Sequence, residues 1–225
     1  MPFRLVPRRD RKLYRLVKKG VVIRLEKGET LYKKGEAAGD VYLVKGGHIR
    51  LLDLPGPEPE PAWEGEGRVT ALAGPWEMVG EEALQEGVSR QFQALAGEPA
   101  QVTVLDGPGA RRAFQTSQKS FEAFLRGKDA EVSLARALAE SRRPGGAQER
   151  LGTLLLHLSA RFGREGTGQG TLVPLLLTHQ VLADLSFSHR STVTTLLNDW
   201  IYAGVLADEK PGFRVLRPDR LLESA

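Results

Sequence analysis

LTHQVLADLSFSHRSTVTTLLNDWIY, residues 177–202, decides the reading of this chain. Thr178 is suited to cap a short helix that ends near Leu185, because its hydroxyl can accept from an otherwise unpaired amide of the first turn. Val181, Leu182 and Leu185 form the buried face of that helix. Ser186-Phe187 makes a tight turn, and Ser188 is expected to cap a second helix, in which Val193, Leu196, Leu197 and Trp200 recur at helical spacing. Two short helices joined by so few residues, the second opening on polar side chains, follow the helix-turn-helix plan. The second helix is expected to present His189, Arg190, Ser191, Thr192, Thr194 and Thr195 outward near its start, where a helix in a major groove needs donors for base edges and phosphates. Thr178 and His179 at the head of the first helix join that set. Downstream, Asp208 to Phe213 reads as a turn between Val205-Leu206 and Arg214-Val215-Leu216. That hairpin would be a wing, with Arg214 as a further DNA contact.

Upstream the pattern changes. Val21 to Leu25 is a β-branched run closed by a turn around Gly28. Val41 to Val44 leads through Gly46-Gly47 to Ile49 to Leu52, which reads as a hairpin. Val69–Ala73, Phe92–Ala96 and Val102–Leu105 add strands, and so many short strands suggest a barrel or sandwich. Residues 55–67, PGPEPEPAWEGEG, should form an exposed loop. From Ser117 to Arg143 a proline-free helix is expected. Its stripe of Phe121, Phe124, Leu125, Val132, Ala135, Leu138 and Ala139 could pack on the barrel or form a dimer seam, and the seam is preferred. Pro144-Gly145-Gly146 breaks that helix and marks a hinge. A further helix follows over Gln148 to Phe162, then a loop over Gly163 to Gly170. The expected domains are 1–116, a barrel with a basic N-terminal arm; 117–143, a dimerisation helix; and 144–225, a winged helix-turn-helix. The fold class is α+β.

The helix-turn-helix stretch resembles that of the cyclic-AMP receptor protein/FNR superfamily of transcription regulators, most of all its nitrogen-control branch. The match runs through Thr178 and Gln180, Ala183, Leu185, Arg190, Thr192-Val193-Thr194 and Leu196-Leu197. Gly28-Glu29-Thr30-Leu31, Gly35-Glu36 and Asp40 to Gly46 resemble the family's barrel strands. Gly80-Glu81-Glu82-Ala83-Leu84 followed by Arg90 resembles its phosphate-binding cassette. The resemblance covers nearly the whole chain in order. It implies a cyclic-nucleotide-type β-barrel (a double-stranded β-helix), a long dimer helix, and a winged helix that reads palindromic promoter DNA and contacts RNA polymerase.

Several positions depart from that pattern. The cassette serine that would hold the phosphate with Arg90 is Gln91, and Glu82 stands at a place usually small or apolar. On the dimer helix, Ala135-Arg136 occupies the place of the hydroxyl pair that meets adenine. Gly80, Glu81, Glu82, Arg90, Gln91, Ala135 and Arg136 therefore outline an effector pocket in which cyclic AMP is not favoured, and no cofactor is expected. An ion pair from Arg90 to Glu81 or Glu82 is the plain alternative. On the second helix Arg190 matches the family's first base reader and suits bidentate pairing with guanine. Ser191 and Thr195 replace the other two readers, so part of the specificity would come from DNA shape.

Composition narrows the alternatives. At 41% hydrophobic and 27% charged residues the chain is an ordinary globular sequence. The absence of cysteine excludes disulfides, thiolate metal sites and cysteine nucleophiles. Of the four histidines only His48 falls among the barrel strands, too few for a metal-dependent barrel enzyme. Residues 163–170, GREGTGQG, lack the Lys-Ser/Thr end of a phosphate loop. No catalytic arrangement emerges, so no enzyme is expected. With neither a signal peptide nor an apolar run long enough to span a bilayer, a cytoplasmic location and no membrane partner are expected. Net charge is +4, but from Pro144 onward eight Lys/Arg face eight Asp/Glu. That balance weakens any non-specific grip on DNA and leaves, as a rival, a ligand-binding module whose winged helix docks protein. The leading expectation is a homodimeric activator that needs no cyclic AMP; gating by cyclic AMP or another small anion is the alternative within the class. Arg4 to Lys19, with eight basic residues against Asp10, suits contact with polymerase or upstream DNA.

Overall fold

A computed structural model describes residues 17–54, 67–140, 146–165 and 169–223. The described residues fall into two compact units that meet at Gly127–Lys128, inside the long helix. The expected loop of residues 55–67 lies almost wholly outside the described residues, as do Pro144-Gly145 of the hinge and most of the basic arm.

The first unit is built from two four-stranded antiparallel sheets. One has the order β1-β8-β3-β6, from Val21–Leu25, Ala100–Asp106, Asp40–Gly46 and Met78–Val79. The other has the order β2-β7-β4-β5, from Thr30–Tyr32, Gln93–Ala96, Ile49–Asp53 and Arg68–Ala73. Leu25, Val44, Ile49, Ala94, Ala96 and Val102 make one buried cluster. The expected hairpin between β3 and β4 does not form. β3 pairs with β8 and β6, β4 pairs with β5 and β7, and the chain crosses from one sheet to the other. Gly47 makes the crossing possible: its φ is +69° and a Cβ there would stand 2.5 Å from the Pro99 carbonyl oxygen. Burying both inner faces offsets the loss of a local ladder, since apolar area removed from water is the dominant favourable term.

A helix missing from the expectations follows β8. α1, Gly107–Thr116, starts where the Asp106 side chain accepts from the Gly109 amide, with Pro108 in its first turn. Ala110, Ala113 and Phe114 seat it on Val41, Leu43 and Leu105. α2 then runs over Gln118–Glu140. Its stripe is not one surface. Phe124 packs against Phe114, ring centroids 5.3 Å apart, and Leu138 is 4% exposed. Phe121, Leu125 and Val132 are each close to half exposed, and Ala135 and Ala139 are exposed with them.

The second unit contains α3 (Ala147–Phe162), α4 (His179–Leu185), α5 (Arg190–Tyr202) and a small sheet of order β11-β12-β10-β9. Its strands are Leu206–Asp208, Phe213–Val215, Thr171–Val173 and Arg164–Glu165. The expected wing hairpin is β11-β12, in register from Leu206↔Val215 to Asp208↔Phe213. The loop expected over Gly163 to Gly170 begins instead as β9, which pairs with β10. Leu151, Leu154, Leu155 and Leu158 of α3 are all buried, with Val193 of α5 and Val181 of α4.

Candidate nucleic-acid interface and the barrel pocket

α4 and α5 are joined as the sequence suggests, with one change at the junction. Thr178 caps α4, its hydroxyl accepting from the Val181 amide at 3.3 Å. The cap of α5 is His189 rather than Ser188, and no side chain closes it. The Ser188 hydroxyl turns back to donate to the Ser186 carbonyl at 3.1 Å. The turn includes Phe187 at φ 52°, uncommon for a bulky residue. Arg150 of α3 holds it in place: Nε donates to the Ser186 carbonyl at 2.9 Å, and Nη2 to the Phe187 carbonyl at 3.3 Å. Arg150 escapes a sequence reading because it lies 36 residues from Ser186 and belongs to another helix.

Along α5 the polar residues divide. His189, Arg190, Ser191 and Thr195 are exposed, and Thr192 is part-buried. Among the described residues the Arg190 side chain has no hydrogen-bond or ion-pair partner. Thr194 was expected to face outward. Its hydroxyl instead donates to the Arg190 carbonyl at 2.9 Å and lies 2.8 Å from Nδ1 of His179, tying α5 to α4. Thr195 also bonds back along its own helix, to the Ser191 carbonyl at 3.2 Å. Arg214 departs most from expectation. It is 8% exposed and gripped by Glu209 through Nε (2.5 Å) and Nη2 (2.9 Å), while Nη1 reaches the Gly170 carbonyl at 3.3 Å. The hydrogen bond from Arg214 holds the Glu209 carboxyl below its usual range. Arg214 therefore fastens the wing, with three of its five N–H donors engaged there.

The barrel site is closed from within. Arg90 is 3% exposed. Nη1 donates to the Gly80 carbonyl at 2.8 Å and approaches Glu82 Oε2 at 3.4 Å, and Nη2 donates to the Asp40 carbonyl at 2.5 Å. The guanidinium carbon lies 4.3 Å from the Tyr32 ring centre and 5.5 Å from that of Tyr42, and the two rings stack at 5.7 Å. Gly80 suits this position because its φ of +77° strains any side chain, and a Cβ would also crowd Arg90 Nη1 at 2.5 Å. The other oxygen of Glu82 accepts from the Gln91 amide at 3.4 Å. An internal carboxylate thus meets both Arg90 and the neighbouring backbone donor. Glu81 is part-buried and Gln91 is exposed. Burial, and then the Glu82 charge, push the Tyr32 phenol far above its usual range, with Arg90 acting against them. Burial likewise raises Tyr42. Tyr32 and Tyr42 carry no local sequence signal, since only the barrel brings β2, β3 and Arg90 together. Ala135 and Arg136 are exposed on α2 in the other unit.

Among the described residues no helix is long and apolar enough to cross a membrane, and no group of three His, Cys, Asp or Glu could hold a metal ion. Residues 22–117 match the cyclic nucleotide-binding domain, and residues 149–224 match the Crp-like helix-turn-helix domain. The chain is 26% identical over 195 residues to the global nitrogen regulator of Synechococcus elongatus, covering 86% of this chain and 84% of that protein. Its fold is shared by FixK2 from Bradyrhizobium japonicum (TM-score 0.69, 22% identity, 92% of this chain and 98% of that one). It is also shared by a CRP-family transcriptional regulator from Thermus thermophilus (TM-score 0.61, 24% identity, 90% and 97%). With a barrel of the first kind followed by a helix-turn-helix of the second, the chain belongs to the cyclic-AMP receptor protein/FNR family and is a DNA-binding transcription regulator.

Proposed function

We propose that the protein is a transcription activator that binds palindromic promoter DNA as a homodimer and needs no cyclic nucleotide to do so. The observation that carries this reading is the closure of Arg90 by Gly80, Asp40, Glu82 and the two tyrosines. A cyclic phosphate would have to displace Glu82 from a nearly buried cation, and it would find Gln91 where a serine hydroxyl would serve. A ligand shifts a conformational equilibrium only by its difference in affinity between the two states. A site already filled from within leaves cyclic AMP little such difference, so the unliganded dimer is the DNA-binding form.

The dimer part rests on α2. Phe121, Leu125, Val132, Ala135 and Ala139 recur at heptad-like spacing on one exposed face, the pattern of a two-stranded coiled coil. The proposed regulator has three domains, 1–116, 117–143 and 144–225. In it Arg190 is the main base reader, flanked by His189, Ser191 and Thr195, and the basic arm of Arg4 to Lys19 contacts RNA polymerase.

The deciding experiment is a gel shift on a palindromic promoter, paired with transcription in vitro, with and without millimolar cyclic AMP. Binding and activation without the nucleotide, changed less than about twofold by it, are expected; DNA binding that appears only with cyclic AMP overturns the reading. Deleting residues 1–9 is expected to reduce transcription more than DNA affinity. Unchanged transcription removes the polymerase contact from the arm.

A further inference from the structure

A second cavity lies in the first unit, outside the Arg90 cluster. It measures about 500 Å³, within the range that takes small organic ligands. Leu84, Phe114, Phe121 and Phe124 supply its apolar wall, and Arg111, Gln115 and Gln118 its polar rim. Phe114 is buried and tilted against Phe124, so the floor is fixed, while Phe121 and the two glutamines are exposed at the mouth. Arg111 sits unusually. Its Nη1 pairs with Glu86, whose side chain is 86% exposed, yet its Nε is buried without a hydrogen-bond partner. A buried donor left unmet is costly, and such groups are rare in native structures. An ion pair with so exposed an acid contributes little and is readily exchanged.

We propose that this cavity is a ligand site for a small amphipathic monocarboxylate, its apolar body against the phenylalanines and its carboxylate on Arg111. A carboxylate accepts two parallel N–H bonds from one edge of a guanidinium. With a shift of the Arg111 side chain toward the cavity, it would supply the partner that Nε lacks. The site is separate from the nucleotide-type pocket, and it requires that the proposed dimer leave the mouth beside Phe121 open. Phe121 also opens the exposed stripe of α2, so an occupant touches the helix on which the proposed dimer rests.

The test is calorimetric titration of the full-length protein with phenylbutyrate and with its uncharged counterpart phenylbutanol. Saturable one-to-one binding of the acid is expected, at least about tenfold tighter than the alcohol, in keeping with a charge-assisted hydrogen bond. Arg111→Gln is expected to erase that preference, and Arg111→Lys, which keeps the charge but lacks the Nε–H, to reduce it. Gln115→Trp, which adds bulk at the exposed mouth, is expected to weaken both ligands. Thermal melting of each variant checks the fold. Equal affinity for acid and alcohol, absence of saturable binding, indifference to the variants, or competition by cyclic AMP would each overturn the site. Gel shifts without any ligand test the proposed function separately, so either idea can fail alone.

Discussion

Arg90 and Arg190 carry the same guanidinium into opposite surroundings. In the barrel, Arg90 is 3% exposed, bonded to two backbone carbonyls, close to Glu82 and set against two tyrosine rings. On α5, Arg190 is exposed at the first turn of the recognition helix without a partner among the described residues. Arg214, on the wing, sides with Arg90. Burying a charge is tolerated only when its donors are satisfied, and satisfied donors have little left to offer a ligand. A family motif identifies where an arginine stands. Its neighbours decide whether it binds a ligand or holds the protein together.

Five substitutions probe that contrast, from the largest expected effect to the smallest. Arg90→Met strips the partner from Glu82 and leaves the Gly80 and Asp40 carbonyls unmet, so urea unfolding should show a loss of about 3–5 kcal/mol. A loss under about 1 kcal/mol would mean that Arg90 is not a structural clamp and would reopen it to an effector. Val132→Asp places a charge in the exposed stripe of α2. It should cost the dimer about 2–3 kcal/mol, seen by light scattering as monomers that fail on a palindrome. Unchanged dimer mass would move the seam to another face. Leu138, 4% exposed, is no substitute in this test, because Leu138→Asp would unfold the unit that buries it.

Arg190→Ala should weaken cognate binding by roughly 1–3 kcal/mol and flatten base preference at one position. Arg214→Ala should lower wing stability without changing which base is preferred. Equal losses on cognate and scrambled DNA for Arg190→Ala would make it a phosphate contact. The smallest effect concerns His157 of α3, whose pKa falls from 6.5 to about 4 through burial and then the Arg161 charge. Between those values the unfolded chain binds more protons than the folded one. The contribution is therefore whole above pH 6.5 and is lost as pH falls toward 4. Because the ring is only partly buried, His157→Gln should flatten the pH dependence of unfolding by only about 1–2 kcal/mol over that range. An unchanged slope would show that His157 does not titrate with folding.

Much of the molecule was legible along the chain because its signals are local. The cap at Thr178, the apolar periods of α4 and α5, the wing turn and most barrel strands depend on residues within a few positions of one another. α1 carries local signals too, Asp106 and Pro108 at its start, but its ten residues merge in sequence with the much longer helical run that follows. Arg150 and Tyr42 had no such signal, since their partners lie 36 and 48 positions away, in other elements.

The sequence by itself determined that this chain is a barrel followed by a winged helix-turn-helix, because periodicity, capping and turn chemistry act over a few residues. Tertiary structure alone decided that β3 and β4 part into separate sheets, and that Thr194 ties α5 to α4. It decided likewise that Arg214 fastens the wing, and that Glu82, Tyr32 and Tyr42 close around Arg90. Each of those outcomes turns on which distant groups share a low-dielectric neighbourhood, where an unpaired charge or donor is costly. That neighbourhood exists only once the chain has folded.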